Sequence, residues 1–353
     1  MPLYYNLKWK TDIERKRTAR RLILLKEELA KLPKKTVSEN LLLASWNIRE
    51  FDAPAYGERL DEAIYYMAEI INHFDLVAIQ EVRDDLKGLD RLKKILGRWW
   101  KCVFTDVTEG HRGNKERLAF LYDSRKVRFS GLAGEIVIPP IKDKIDEKTI
   151  YKPRQQLART PFIVGFQAGW FKFMICTVHI LYGENKSDSP DRVKEIEVLS
   201  DFLAKRAKSS RAWSNNLILL GDFNIFSPKN QTFKQIEKNF FMPEQIQKLP
   251  SNIPQNKHYD QIAFKLNKHI DLKDIKAGLI EYYDYVFKEE DEDIYKSDMG
   301  KNYNVTSKGE TRDNKGKTRY YKTYWRTHQM SDHLPMWVEL KIDFSKEYLE
   351  KLS

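Results

Sequence analysis

Apolar positions gather into short, nearly continuous runs from residue 41 onward, separated by stretches with helical spacing. The runs are LLLASWN (41–47), DLVAIQE (75–81), RLAFLYD (117–123), PFIVGFQ (161–167), FKFMICTVH (171–179), NLILLGD (216–222), DQIAFK (260–265) and PMWVELKI (335–342). Several are almost unbroken Val, Ile, Leu and Phe, as strands buried on both faces must be. Between the first two, ERLDEAIYYMAEIINHF sets Leu60, Ile64, Met67, Ile70 and Ile71 on one helical face. Residues 191–206 repeat that spacing with Val193, Ile196, Leu199, Phe202 and Leu203. The mixture predicts layered α and β structure around a shared core.

Residues 1–40 read as a charged N-terminal helical extension. Ile13, Leu22, Leu25, Leu29 and Leu32 form a partial stripe among many Lys and Arg, and Pro33 ends the helix. The expected arrangement is a solvated helix leaning on the main domain, 41–345. Two polar stretches, about 141–158 and 288–320, read as insertions into that domain. The second runs from an acidic cluster (KEEDED) into a basic, aromatic tail ending in RYYKTYW.

The formal net charge of +11 favours a polyanionic partner, either nucleic acid or an acidic membrane surface. Two cysteines, Cys102 and Cys176, supply neither a disulfide framework nor a zinc site, and both lie in apolar runs. The N-terminal residues carry no secretory apolar segment, and no window is long enough to span a bilayer. A soluble, cytoplasmic protein is expected.

Polar residues of a particular kind close the apolar runs: Asn47, Glu81, His179, then Asp222 with Asn224, then Asp332 with His333. Any one fits a cap or turn, yet five strand ends carrying such groups point to a site built at the sheet rim. Carboxylates and amide oxygens suit Mg²⁺ or Mn²⁺, which take few protein ligands plus water and phosphate oxygens. Histidines beside them supply proton transfer near neutral pH. The combination describes metal-assisted attack of water on a phosphate ester.

The ordered blocks WNIREFD (46–52), IQEVRDD (79–85), KERLAFLYD (115–123), ARTPFIVGF (158–166), CTVH (176–179), LLGDFN (219–224), YDQIAF (259–264) and SDHLP (331–335) resemble deoxyribonuclease I and its endonuclease/exonuclease/phosphatase superfamily. The resemblance implies an α+β fold, a four-layer α/β/β/α sandwich of two packed mixed β-sheets. It implies that Asn47 and Glu81 hold the metal and the scissile phosphate, with Asp332 a further metal or histidine-positioning carboxylate. Glu116 with His179, and Asp260 with His333, look like two carboxylate–histidine pairs. In such pairs the carboxylate fixes the tautomer and raises the imidazole pKa. By the same resemblance His333 activates water, and His179 binds the phosphate or protonates the leaving oxygen. Asp222 and Asn224 orient the nucleophile and grip the phosphate. Arg159 matches a phosphate-contacting arginine, a role its planar fork suits. The implied cofactor is Mg²⁺ or Mn²⁺, with Ca²⁺ as a structural ion.

The superfamily leaves the substrate open. QEVRD resembles the deoxyribonuclease I form, in which the arginine corresponding to Arg83 enters the minor groove. YDQI resembles that enzyme's YDRI, and the positive charge fits a phosphate backbone. Departures are Asn114, where that enzyme has a groove-contacting tyrosine, and the absent signal peptide and disulfides. The expected function is a DNA endonuclease, with DNA favoured over RNA and with neither membrane nor obligate protein partner. The alternatives are a phosphatase or phosphodiesterase of inositol or lipid phosphates, or a catalytically idle DNA-binding protein on the same fold. No clear apolar hairpin of the kind lipid-cleaving relatives carry is visible. Arg117 and Arg125 read as structural or solvated; His73, His111, His258 and His328 read as surface histidines. Trp99, Trp100 and Trp213 read as core or rim aromatics. The basic, aromatic tail of the second insertion fits either a substrate groove or an amphipathic hairpin over the core.

Overall fold

A computed structural model describes the chain except residues 52, 54–56, 110–113, 146–147, 268, 269, 271, 273 and 274. After helix α1 (Asp12–Leu29) come β1 (Asn40–Phe51), α2 (Asp61–Asn72), β2 (Leu76–Val82), α3 (Lys87–Leu96), β3 (Trp100–Phe104), β4 (Arg117–Asp123) and β5 (Val127–Glu135). A hairpin of β6 (Ile141–Ile145) and β7 (Lys148–Lys152) precedes β8 (Phe162–Ala168), β9 (Phe171–His179), α4 (Pro190–Lys208) and β10 (Leu217–Asp222). The chain then runs through β11 (Asp260–Lys265), β12 (Ala277–Leu279), short helical turns between 282 and 329, and β13 (Met336–Lys341).

Two mixed sheets result, ordered β12-β13-β1-β2-β4-β3 and β11-β10-β9-β8-β5. The parallel pairs β1–β2 and β9–β10 lie inside their sheets; the remaining ladders are antiparallel. The period of two along each strand divides its side chains between two cores. Leu41 and Leu43 of β1 meet Phe173, Ile175, Ile218 and Leu220 between the sheets. Leu42, Ala44, Trp46 and Ile48 face α2 instead. On the far sheet Met174, Cys176, Leu217 and Leu219 pack beneath Ile196, Leu199 and Leu203 of α4. The sandwich is therefore four layers deep, as the resemblance implied.

Helix α1 closes over the outer face of α2. Leu22, Leu25 and Leu29 are buried there, while Ile13, from the same stripe, is exposed. The polar residues Glu62 and Glu69 of α2 are thereby covered, and Arg17 and Lys26 of α1 pair with them at 2.8 and 3.1 Å. The N-terminal α1 segment thus shares a core with the sandwich.

The first insertion forms the exposed β6–β7 hairpin, whose solvent-facing Ile141, Ile150 and Tyr151 are interspersed with Lys142, Lys144, Lys148 and Lys152. In the second, Tyr320, Tyr321 and Trp325 are buried in the helix-side core while Lys315 and Arg319 face solvent. These aromatics do cover the core, but from helical turns at Asn314–Arg319 and Tyr320–Trp325 and not from the expected hairpin. His328 corrects its surface assignment: it is fully buried, with Nε2 2.7 Å from the Ala53 carbonyl. The turn before β13 carries it inward. His73 and His258 are half-buried, and His111 lies outside the described residues.

Candidate active site

The inner faces of the strands change chemistry toward one end of the sandwich. On β1 the face that begins with Leu41 and Leu43 continues in phase with Ser45 and Asn47. On β9, Phe173 and Ile175 give way to Thr177 and His179; on β10, Ile218 and Leu220 give way to Asp222. Read backward, Phe264 and Ile262 lead to Asp260, and Phe120 and Leu118 lead to Glu116. Gln80 marks the boundary, its Nε2 donating to Ser45 Oγ at 3.2 Å and to Thr177 Oγ1 at 2.8 Å across the sheets. Register then aligns the groups, because Asp222 is the ladder partner of both His179 and Asp260.

Glu81 departs from this phase. Its φ of 61° lies in the left-handed region, and the β2 ladders shift register around it. A non-glycine residue held so costs about 1–3 kcal/mol and persists where surrounding contacts enforce it. Here Glu81 Oε1 accepts from Asn47 Nδ2 at 2.9 Å and Oε2 accepts from the Glu50 amide at 2.7 Å. Asn224, with φ 53°, is pinned similarly: its amide donates to Asp222 Oδ1 at 2.8 Å and its Nδ2 to the Ile180 carbonyl at 2.8 Å.

Two carboxylate–histidine pairs frame the centre. His179 Nδ1 lies 2.7 Å from Glu116 Oε2, and His333 Nδ1 lies 2.7 Å from Asp260 Oδ2. Donation from each Nδ1 leaves Nε2 facing inward, where Asp222 Oδ2 is 3.5 Å from His179 and 3.7 Å from His333. Ser251 Oγ supports the second pair, donating to Asp260 Oδ2 at 2.6 Å. Ser331 Oγ donates to the Asn47 carbonyl at 2.6 Å and accepts the His333 amide at 3.0 Å, which fixes the His333 loop to β1. Arg159 Nε reaches Glu116 Oε2 at 2.9 Å.

The electrostatics follow from burial and acid density. Burial alone would raise the Glu116 carboxyl, but His179 and Arg159 hold it down to about 2. Burial raises Glu81, and Glu116 and Asp332 add to the effect against the pull of His179. Burial opposes protonation of both imidazoles; Glu116 and Asp222 nevertheless raise His179, and Asp260, Asp222 and Asp332 raise His333 well above its ordinary value.

The site thus gathers Asn47, Glu81, Glu116, Arg159, His179, Asp222, Asn224, Asp260 and His333, with Asp332 half-buried beside them. Arg83 stands at the rim of β2, donating to the Asn114 carbonyl and 3.5 Å from Glu50 Oε1. Glu50, Gln80, Ser251, Tyr259 and Ser331 escaped the sequence reading. Phase offered a signal for Gln80, which continues the inward face of Leu76 and Ala78.

The residues fit a hard divalent cation. Asn47 Oδ1 is buried and accepts no hydrogen bond among the described residues, while its Nδ2 donates to Glu81 Oε1 and Asp222 Oδ2, each at 2.9 Å. Beside it five carboxylates, those of Glu81, Glu116, Asp222, Asp260 and Asp332, face one arginine and two histidines. Among the described residues no three His, Cys, Asp or Glu side chains form a metal cage by themselves. Mg²⁺ and Mn²⁺ ask for less, since water and substrate oxygens complete their shells.

Comparison with solved structures places this architecture. A Bacteroides thetaiotaomicron endonuclease/exonuclease/phosphatase family protein aligns over 87% of this chain and 99% of its own, with TM-score 0.51 and 16% identity. This is the endonuclease/exonuclease/phosphatase fold. The same fold is seen in D. rerio TDP2 complexed with single-strand DNA product, at TM-score 0.50, 15% identity and coverage of 85% and 98%. It is seen again in the human Nocturnin catalytic domain with bound sulfate, at TM-score 0.50, 14% identity and coverage of 85% and 93%. In sequence, a deoxyribonuclease of Thioalkalivibrio sp. (strain K90mix) is 31% identical over 192 residues, 53% of this chain. The match spans 46% of that protein, less than half its length. No family model matches the chain.

Proposed function

We propose that the chain is a divalent-metal-dependent phosphodiesterase that cuts DNA internally. The observation that carries this reading is the pair of carboxylate-anchored histidines whose Nε2 atoms face one another across Asp222, 3.5 and 3.7 Å from its Oδ2. Asn47 and Glu81, with Asp332, would hold Mg²⁺ or Mn²⁺, which would polarise the phosphate and offset the acid surplus; Ca²⁺ suits the same oxygens. With the acid surplus so offset, the neutral form of His333 would be available, and its Nε2 would take the proton of the attacking water, with Asp260 fixing its tautomer and Asp222 orienting the nucleophile. His179 Nε2, raised by Glu116, binds a phosphate oxygen or protonates the departing one. Arg159 and Asn224 steady the phosphate.

The choice of DNA draws on the deoxyribonuclease relative, on TDP2 bound to a DNA product, on Arg83 at the rim and on the +11 charge. The test is cleavage of supercoiled plasmid with Mg²⁺, Mn²⁺ or a chelator, beside the His333→Ala protein. Nicked product that needs both metal and His333 is expected. Intact plasmid under every condition removes the DNA reading. Undiminished nicking by His333→Ala removes the assigned role of that histidine.

A further inference from the structure

Three strands of the second sheet supply His179, Asp222 and Asp260, and the loop at the same end of each carries an aromatic ring. Tyr182 lies three residues beyond His179, Phe226 two beyond Asn224, and Tyr259 immediately before Asp260. Because the three catalytic positions share one register row, the three rings meet. Tyr182 lies 6.0 Å from Phe226 and 6.5 Å from Tyr259, and Phe226 lies 5.9 Å from Tyr259, centroid to centroid. Tyr259 extends the cluster to the reaction centre, its ring 5.5 Å from the His333 imidazole and tilted by 31°.

The cluster is braced by Arg192 behind and open to solvent in front. The Arg192 guanidinium, on a fully buried side chain, lies 4.9 Å from the Phe226 ring and 5.6 Å from Tyr182. It is fixed by donation to the Tyr182 and Ser187 carbonyls at 2.5 and 3.0 Å. Lys257 Nζ sits 3.5 Å over Phe226. Tyr182 keeps 37% of its surface exposed, and Tyr259 is half-exposed. The cluster thus runs from a partly exposed ring beside His333, Tyr259, to the more exposed Tyr182, with cations on its flank.

We propose that Tyr182, Phe226 and Tyr259 form a stacking wall for the nucleobase flanking the scissile phosphate, with Tyr182 as its contacting face. A phosphate gripped between His179 and His333 carries its sugar toward this wall, and the attached base is the planar group that fills it. Lys257 answers the neighbouring phosphate. Base–aromatic stacking tolerates any base, so the wall selects for the presence of a base and not for sequence. It would favour nucleic acid over phosphate esters of non-planar alcohols. This inference rests on the nucleic-acid reading above, although its binding test does not depend on turnover.

Two fluorescently labelled probes of equal length and charge separate the cases: a single-stranded DNA dodecamer, and a dodecamer of tetrahydrofuran phosphodiesters without bases. Binding to the full chain is measured by anisotropy in chelator, and cleavage is measured separately in Mg²⁺. Wild-type protein is expected to bind the base-bearing probe roughly 5- to 100-fold more tightly, the range set by one stacked base. Tyr182→Ala should bring the two affinities together, and Tyr182→Trp should keep them apart. Equal affinities in the wild type, or a preference unchanged in a folded Tyr182→Ala protein, overturn the wall. A preference that depends on Tyr182, without cleavage of either probe, supports the wall and sinks the nuclease reading alone.

Discussion

His328 shows what the residue scale alone can decide. Burial, with Arg59 nearby, lowers its pKa from 6.5 to about 3, so the folded protein keeps it neutral where the unfolded chain takes up a proton. The stability this neutral ring contributes is complete above pH 6.5 and is lost as pH falls toward 3. Between pH 6.5 and 4.5 the loss should be about 2–3 kcal/mol. His328→Gln should flatten that part of the profile, as read by urea denaturation at both pH values; an unchanged slope would assign acid lability to other groups. Glu81 and Asn47 make a second residue-scale prediction. Mg²⁺ at a hundredfold excess over its dissociation constant should stabilise the wild type by about 2.7 kcal/mol. Glu81→Ala should lose that thermal shift and its turnover together. His179→Ala and His333→Ala should fold and bind probe DNA yet abolish cleavage, in keeping with the roughly 10²–10⁴-fold contribution of positioned acid–base groups.

At the scale of elements, the contact between β9 and β10 is the most exacting. Gly221 has φ 129°, and a Cβ there would stand 2.2 Å from the Val178 carbonyl oxygen. No rotamer relieves a clash with backbone, so Gly221→Ala should separate the strands beside His179 and Asp222. The expected cost is about 2–5 kcal/mol from strain and overpacking together. Thermal unfolding measures it, and a crystal structure would show the displaced Asp222. Helix α1 gives a milder case. Arg17 holds buried Glu62 with two bonds, at 2.8 and 3.1 Å. Arg17→Ala should destabilise by about 3 kcal/mol by removing that carboxylate's cationic partner, leaving it only the Tyr66 and Thr18 hydroxyls. A loss under 1 kcal/mol would mean that α1 contributes little to covering α2.

For the whole molecule, the long buried strands were plain in the sequence because both faces of β1, β9 and β10 are apolar, and helices α2 and α4 announced themselves by spacing. Among the edge strands β11 was legible as the run DQIAFK, whereas β5 and β12 were not. β5 alternates half-exposed residues at the margin of its sheet, and β12 spans only Ala277–Leu279, too short for any period. The candidate site was legible in its ligand-type residues, because Asn47, His179 and Asp222 end runs whose inward phase is unmistakable. Their mutual geometry was not, since Ser251, Ser331 and Tyr259 act through contacts that only folding creates. Glu81 was legible as a ligand-type residue closing its run, but the way it reaches the site was not, because a strand's period points it away and only its left-handed backbone turns it in.

The hydrogen bond from Ser331 to the Asn47 carbonyl joins residues 284 positions apart, and β1 completes its pairing only with β13. On a ribosome, the strand carrying Asn47 therefore waits 284 residues for the segment that carries Ser331 and His333. A nascent chain that has not passed residue 341 lacks the full ladder that steadies Asn47, and one shorter than 333 residues lacks His333 as well. An enzyme of the proposed kind would thus be born inert, armed only once β13 is made.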